Sequence, residues 1–170
     1  MEISNVVYFS LGSNLGNRLS NLENALVEIK KSIGDIASCS SVYSTKAVGF
    51  ETDADFLNIC AKCYTKHNPD EVLSKIGIIE NELGRVRNKT ERYTSRTIDI
   101  DIILFNDYQI KNENLSIPHN EYQNRLFVLL PLIEISPELR DPRNNELISD
   151  CLSIQNLKQS IQKENFVLSY

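Results

Sequence analysis

The sequence predicts an α+β fold of the ferredoxin-like, split βαβ kind: a mostly antiparallel sheet with two helices packed on one face. Apolar residues recur at helical spacing in two stretches, from Leu19 to Ile33 and from Val72 to Leu83. Four further stretches are short, apolar and rich in β-branched or aromatic residues, as strands are. Their order along the chain is strand, helix, strand, strand, helix, strand, which is the split βαβ order.

Taken in order, Val6 to Leu11 reads as a core strand and Gly12 to Asn17 as the turn after it. The turn lacks both the Gly-Lys-Ser/Thr ending of a P-loop and dinucleotide-fingerprint spacing, so a glycine-permitted bend is the expectation. A helix follows over Arg18 to Ser32, with Leu19, Leu22, Leu26, Ile29 and Ile33 stepping by three and four. Gly34 is expected just past its C-terminal end. Ile36 to Ser44 reads as a strand, Lys46 to Asp55 as a loop, and Phe56 to Tyr64 as the next strand.

Asn68-Pro69-Asp70-Glu71 is a helix start: a cap, a proline at the first position and acids in the first turn. Val72, Ile76, Ile79 and Leu83 line one face, and Gly84 stops the helix. Residues 85–95 are polar, basic and without period, and read as a mobile loop. Ile98 to Phe105 is expected to be the central strand, with Tyr108-Gln109-Ile110 as a hairpin partner after an Asn106-Asp107 turn. Leu126 to Ile135 is apolar but contains Pro131, so it reads as a short buried helix or turn rather than a strand. Asn156 to Glu164 is expected to form a peripheral helix. No repeat, linker or low-complexity tract divides the chain, so residues 1–170 are read as a single domain.

The bulk composition narrows the function. A hydrophobic content of 41% with 24% charged residues suits a soluble domain with a real core. The net charge of -5 argues against a nucleic-acid binder. The start Met1-Glu2-Ile3-Ser4-Asn5 has no signal-peptide pattern and no apolar run is long enough for a membrane span, so a cytoplasmic protein without a membrane partner is expected. Trp is absent, which leaves Tyr, Phe and His for ring stacking. Cys60-Ala-Lys-Cys63, with His67 nearby, has redox and zinc spacing. A strand there would point the two thiols to opposite faces, and a structural zinc site normally takes four ligands. Buried thiols in a reducing compartment are therefore the expectation.

The chemistry concentrates in Arg96-Thr97-Ile98-Asp99-Ile100-Asp101-Ile102-Ile103-Leu104-Phe105. On a strand, Asp99 and Asp101 share a face, roughly 7 Å apart at the backbone. Two acids inside a run of isoleucines are costly unless a metal or arginine neutralises them. Mg²⁺ suits them, because it takes oxygen ligands and commonly bridges substrate phosphates. Arg85, Arg87, Lys89, Arg92 and Arg96 lie just upstream, and guanidinium groups grip phosphate oxygens in a two-pronged way. Ser116-Ile117-Pro118-His119 and Arg125 supply a further polar set, in which His119 could give a proton or a hydrogen bond to a phosphate.

With these pieces assembled, the chain resembles the hydroxymethyl-dihydropterin pyrophosphokinases of folate synthesis, from Val6 to about Leu139. The resemblance rests on Gly12-Ser13-Asn14-Leu15-Gly16, on Ser41-Val42-Tyr43-Ser44-Thr45 with Gly49, and on Asp55-Phe56-Leu57-Asn58. It continues through Leu83-Gly84-Arg85-Val86-Arg87, Arg96 to Asp101, Pro118-His119 and Arg125 to Leu129. It implies transfer of the β,γ-pyrophosphoryl group of ATP to the hydroxymethyl oxygen of 6-hydroxymethyl-7,8-dihydropterin, leaving AMP. By the same resemblance Asp99 and Asp101 hold two Mg²⁺, and Arg85, Arg96 and His119 join them in catalysis. Arg85, Arg87, Arg96, Ile102, Ser116, His119 and Arg125 match nucleotide-site positions. Thr45, Val48 and Asn58 match readers of the pterin's polar edge, and Phe56, Tyr93 and Phe127 its apolar and stacking walls. Long polar loops fit closure over two small-molecule substrates, and a monomer is the expectation.

Several positions depart from the family pattern. Lys46 and Ala47 stand where prolines are common, Gly77 where a polar adenine contact occurs, Thr94 where Gly or Ala is usual, and Asn120 where an aromatic residue or Pro is frequent. Two other functions compete: a two-metal phosphodiesterase or nuclease built on the same aspartates, and a ferredoxin-like binding module without turnover.

Overall fold

A computed structural model describes residues 4–46, 54–85, 95–154 and 159–170 of the chain. The elements are β1 (Asn5–Ser13), α1 (Arg18–Ser32), β2 (Gly34–Cys39), β3 (Tyr43–Thr45), β4 (Phe56–Thr65), α2 (Pro69–Glu82), β5 (Asp99–Phe105), β6 (Ile110–Lys111), β7 (Ser116–Ile117), α3 (Leu126–Ile135), α4 (Cys151–Ile154) and β8 (Ile161–Lys163). The main sheet runs β5-β1-β4-β3-β8, with β2 also paired to β4, and every pairing is antiparallel. This is the expected split βαβ order, extended at one edge by β8.

Alternation along the strands splits the core in two. Val7, Phe9 and Leu11 of β1, Leu57, Ile59, Ala61 and Cys63 of β4, and Ile100 and Ile102 of β5 face α1 and α2. Tyr8, Cys60, Ile103 and Leu104 face the other way and pack with Val128, Leu129 and Leu132 of α3. Helix α2 starts as its sequence dictates, with Asn68 and Glu71 forming a reciprocal capping box and Pro69 in the first turn. Gly84 follows it with φ +79°, the left-handed conformation that glycine allows. Cys60 and Cys63 sit in different core layers, and burial pushes the Cys63 thiol up to about 12.

Several expectations need correction. Strand β1 continues through Gly12 and Ser13, so only residues 14–17 connect it to α1. Gly34 does follow the end of α1, right after the C-cap Ile33, but it opens β2, where an added Cβ would come 2.0 Å from the Tyr64 carbonyl oxygen. Close backbone approach, not positive φ, requires glycine there. The stretch from Ile36 to Ser44 is two strands, because the Ser40 hydroxyl accepts the Cys60 N–H and interrupts the ladder. Strand β5 is an edge strand rather than the central one. Residue 110 belongs to β6, which pairs with β7 and not with β5. The apolar stretch around Pro131, by contrast, is helical as expected and forms α3. Within the expected C-terminal helix, residues 161–163 form strand β8 against β3, because the edge of β3 offers unpaired backbone groups.

Candidate active site

One face of the sheet, at the ends of β1, β4 and β5, carries polar residues where the rest is apolar. Register aligns Asp99 with Gly12 and Gly12 with Asn58, while Asp101 lies opposite Ser10. All these residues share the α3 side of the sheet. Beyond Asp101 the pairing shifts, with Ile102 opposite Phe9 and Leu104 opposite Tyr8. That bulge at Ile103 returns Leu104 to the α3 core and leaves the aspartates at the open end. The result is a cleft of about 620 Å³, within the range of small-molecule sites.

Ten residues singled out from sequence line this one cleft: Thr45, Phe56, Asn58, Arg85, Arg96, Asp99, Asp101, His119, Arg125 and Phe127. Two others do not. The Ile102 side chain is buried on the opposite face of the sheet, among the residues that meet α1 and α2. The Ser116 hydroxyl is engaged with the Asn120 side chain at 2.8 Å and is not part of the cleft lining. Val48, Arg87 and Tyr93, like Ala47 and Thr94, lie outside the described residues.

The carboxylates are each flanked by basic side chains. Arg85 pairs with Asp99 at 2.6 Å, and Arg96 pairs with Asp99 at 3.2 Å. Arg125 lies 3.7 Å and His119 3.9 Å from Asp101. Burial pushes the Asp101 carboxyl up to about 7, helped by the Asp99 charge and opposed by Arg125. Burial and the Arg125 charge hold His119 down to about 4, so the ring is neutral near pH 7. Its Nδ1 accepts the Glu121 N–H at 3.1 Å, which assigns the ring proton to Nε2, on the Asp101 side. A neutral His119 with its Nε2–H on the Asp101 side has a hydrogen-bond donor to offer the cleft. Its own N–H is held by the Ile103 carbonyl at 2.9 Å, on the outer edge of β5.

Three residues not chosen from sequence build this arrangement. Glu80 is only 2% exposed; it accepts the Ile100 N–H at 2.9 Å and pairs with Arg85, so the guanidinium spans Glu80 and Asp99. Asn14 accepts the Arg96 N–H at 2.8 Å and gives its own N–H to the Arg96 carbonyl, fixing Arg96 beside the end of β1. Gly12 forms the floor, where an added Cβ would lie 3.1 Å from Asn58 Oδ1. The signal for Glu80 was its place four residues after Ile76, on the apolar stripe of α2.

The other end of the cleft can read a flat heterocycle. Asn58 gives its amide hydrogens to Thr45 Oγ1 at 3.0 Å and the Tyr43 carbonyl at 3.4 Å, which leaves Oδ1 over Gly12 as an acceptor. Phe56 and Phe127 supply ring faces, each with a guanidinium over it: Arg96 at 5.5 Å and Arg125 at 5.8 Å. The Arg96 Nε is buried without a hydrogen-bond partner among the described residues, a donor that an anionic ligand oxygen would satisfy.

Comparison with known proteins agrees with this geometry. Residues 8–137 match the family model described as 7,8-dihydro-6-hydroxymethylpterin-pyrophosphokinase. A Bacillus subtilis protein named 2-amino-4-hydroxy-6-hydroxymethyldihydropteridine pyrophosphokinase is 41% identical over 138 residues, which span 81% of each chain. A Haemophilus influenzae protein of the same name is 40% identical over 144 residues, 84% of this chain and 88% of the relative. Among solved structures, a Plasmodium falciparum HPPK-DHPS chain superposes with a TM-score of 0.71 at 19% identity. The superposition covers 91% of this chain and 44% of that one, so the likeness is one of fold and the chain spans under half of that protein.

Proposed function

The chain belongs to the 7,8-dihydro-6-hydroxymethylpterin-pyrophosphokinase family, and from that premise we propose that it transfers the pyrophosphoryl group of ATP to 6-hydroxymethyl-7,8-dihydropterin, in folate biosynthesis. The observation that carries the reading is the row Asp99, Gly12, Asn58 across three strands. Two strand spacings, about 10 Å, separate the carboxylate column from the Asn58 column. That span suits a pterin whose amide-like edge meets Asn58 and whose hydroxymethyl arm ends beside Asp99 and Asp101.

The reaction makes modest covalent demands on the protein. The hydroxymethyl oxygen attacks the β-phosphorus of ATP, the bond to the α–β bridging oxygen breaks, AMP leaves, and the hydroxyl proton is released. Asn58 and Thr45 orient the ring, and Phe56 and Phe127 wall it. Arg85, Arg96 and Arg125 face the phosphates, and the neutral His119 Nε2–H gives one of them a hydrogen bond. Holding the two reactants in line accounts for much of the acceleration such sites achieve.

The donor set fits Mg²⁺. In the cleft the guanidiniums of Arg85, Arg96 and Arg125 face the carboxylates of Asp99 and Asp101, with the buried Glu80 paired to Arg85 behind them. A polyphosphate brought beside these two carboxylates adds negative charge that divalent ions would offset. Mg²⁺ is commonly held by one or two carboxylates plus substrate oxygens and water, and Asp99 and Asp101 sit on one strand face at the cleft. Asp99 and Asp101 would hold it, and the ion would supply charge neutralisation and a more acidic hydroxyl.

The reading takes residues 1–170 as one domain acting on small molecules in the cytoplasm, as a monomer. No helix among the described residues is long and apolar enough to cross a membrane. The test is AMP formation from Mg-ATP with and without the pterin alcohol. Pterin-dependent AMP is the expected result. Phosphodiester cleavage without pterin would favour the phosphodiesterase reading, and binding of both substrates without turnover would favour a binding module.

A further inference from the structure

The C-terminal segment reaches the cleft from beyond the stretch that the family model matches. Gln159 is one of the cleft-lining residues. Its amide spans the turn that leads into α3: Oε1 accepts the Leu126 N–H at 2.9 Å, and Nε2 donates to the Asn124 carbonyl at 2.9 Å. Between those two residues stands Arg125, which faces Asp101 and covers the Phe127 ring. The first N–H groups of a helix have no partner within it, and α3 has no side-chain cap from its own N-cap residue. Gln159 supplies one of the missing partners from 33 residues away. Two residues later the same segment enters β8, where Ile161 pairs with Thr45, the residue that holds Asn58. The segment therefore touches both walls of the site.

We propose that Gln159 is a positioning residue of the active site, bracketing Asn124 and Leu126 so that the Arg125 guanidinium faces the phosphate end of the cleft. This rests on the pyrophosphoryl-transfer reading above. Gln159 acts through Arg125, so its effect falls on ATP and not on the pterin. Loss of the two hydrogen bonds releases the turn, and the guanidinium spends less time in the cleft.

The experiment measures KM for ATP, KM for the pterin, kcat and thermal midpoint for the full chain and for Gln159→Ala, Gln159→Met, Arg125→Ala and the Gln159→Ala/Arg125→Ala double variant. Methionine keeps the length and packing of glutamine and removes both hydrogen bonds. Gln159→Ala and Gln159→Met are each expected to raise KM for ATP about tenfold, the worth of one to two ordinary hydrogen bonds, with the pterin KM within about twofold. In the Arg125→Ala background the Gln159→Ala change is expected to add less than about twofold, because both act at one group. Wild-type behaviour of Gln159→Met would overturn the proposal, as would effects of the two residues that simply multiply. If the wild-type chain itself forms no pterin-dependent AMP, the underlying reading has failed instead, and that is seen before any variant is compared.

Discussion

Glu80 offers the sharpest quantitative test of how the site is built. Its carboxylate is 2% exposed, accepts the Ile100 backbone N–H and pairs with Arg85, which is itself 15% exposed. Glu80→Ala removes both partners' counterpart at once and strands a half-desolvated guanidinium and a buried N–H. Breaking such a pair costs 3–5 kcal/mol in general, and Arg85 keeps Asp99 at 2.6 Å, so the low end, about 3 kcal/mol, applies. For a chain of 170 residues that corresponds to a fall in melting temperature of roughly 6–12 °C. Glu80→Gln keeps an acceptor for Ile100 and loses only the charge, so its cost is about 1–2 kcal/mol. Thermal unfolding followed by circular dichroism reads both variants on one scale. Glu80→Ala melting within about 2 °C of wild type would refute the argument, and so would Glu80→Gln falling as far as Glu80→Ala.

Two further perturbations probe the floor and the phosphate end. Gly12→Ala puts a methyl 3.1 Å from Asn58 Oδ1; it is expected to raise the pterin KM about tenfold while the ATP KM stays near wild type, and equal effects on both would contradict the assignment of Asn58. His119 is held at about 4, below its ordinary value, so an NMR titration of its ring is expected to show a midpoint near 4 and a neutral ring from pH 6 upward. The sign follows: between about 6.5 and 4 the unfolded chain takes up a proton that the folded one refuses, so this group lowers stability as pH falls through that window. A midpoint near 6.5 would contradict the neutral-donor role.

How much of this was legible in the chain depends on the range of the interaction responsible. The split βαβ order and the two amphipathic helices follow from local periodicity, and local periodicity survives folding. The shared face of Asp99 and Asp101 follows from spacing within one strand. Placing Thr45, Asn58, His119 and Arg125 around that pair came from family resemblance, since nothing local links residues so far apart in sequence. What escaped is non-local. Gly34 stands just past the helix as expected, but what requires glycine there, the Tyr64 backbone pressing on it, is 30 residues away. The break at Ser40 reflects a hydroxyl that meets Cys60 on another strand. Strand β8 takes its form from the free edge of β3, so its own residues carried no strand signal. Ile102 is a different case: alternation puts its side chain on the helix face, and resemblance at a position does not say which face a side chain takes.

The central claim is that Asp99 and Asp101 mark the point where ATP's phosphates meet a pterin alcohol. The most direct measurement compares AMP formation from Mg-ATP and 6-hydroxymethyl-7,8-dihydropterin by the wild-type chain and by Asp101→Ala, with pterin affinity measured alongside. The account predicts pterin-dependent AMP from the wild type, none above background from Asp101→Ala, and similar pterin affinity in both. AMP formation by Asp101→Ala at the wild-type rate would contradict it.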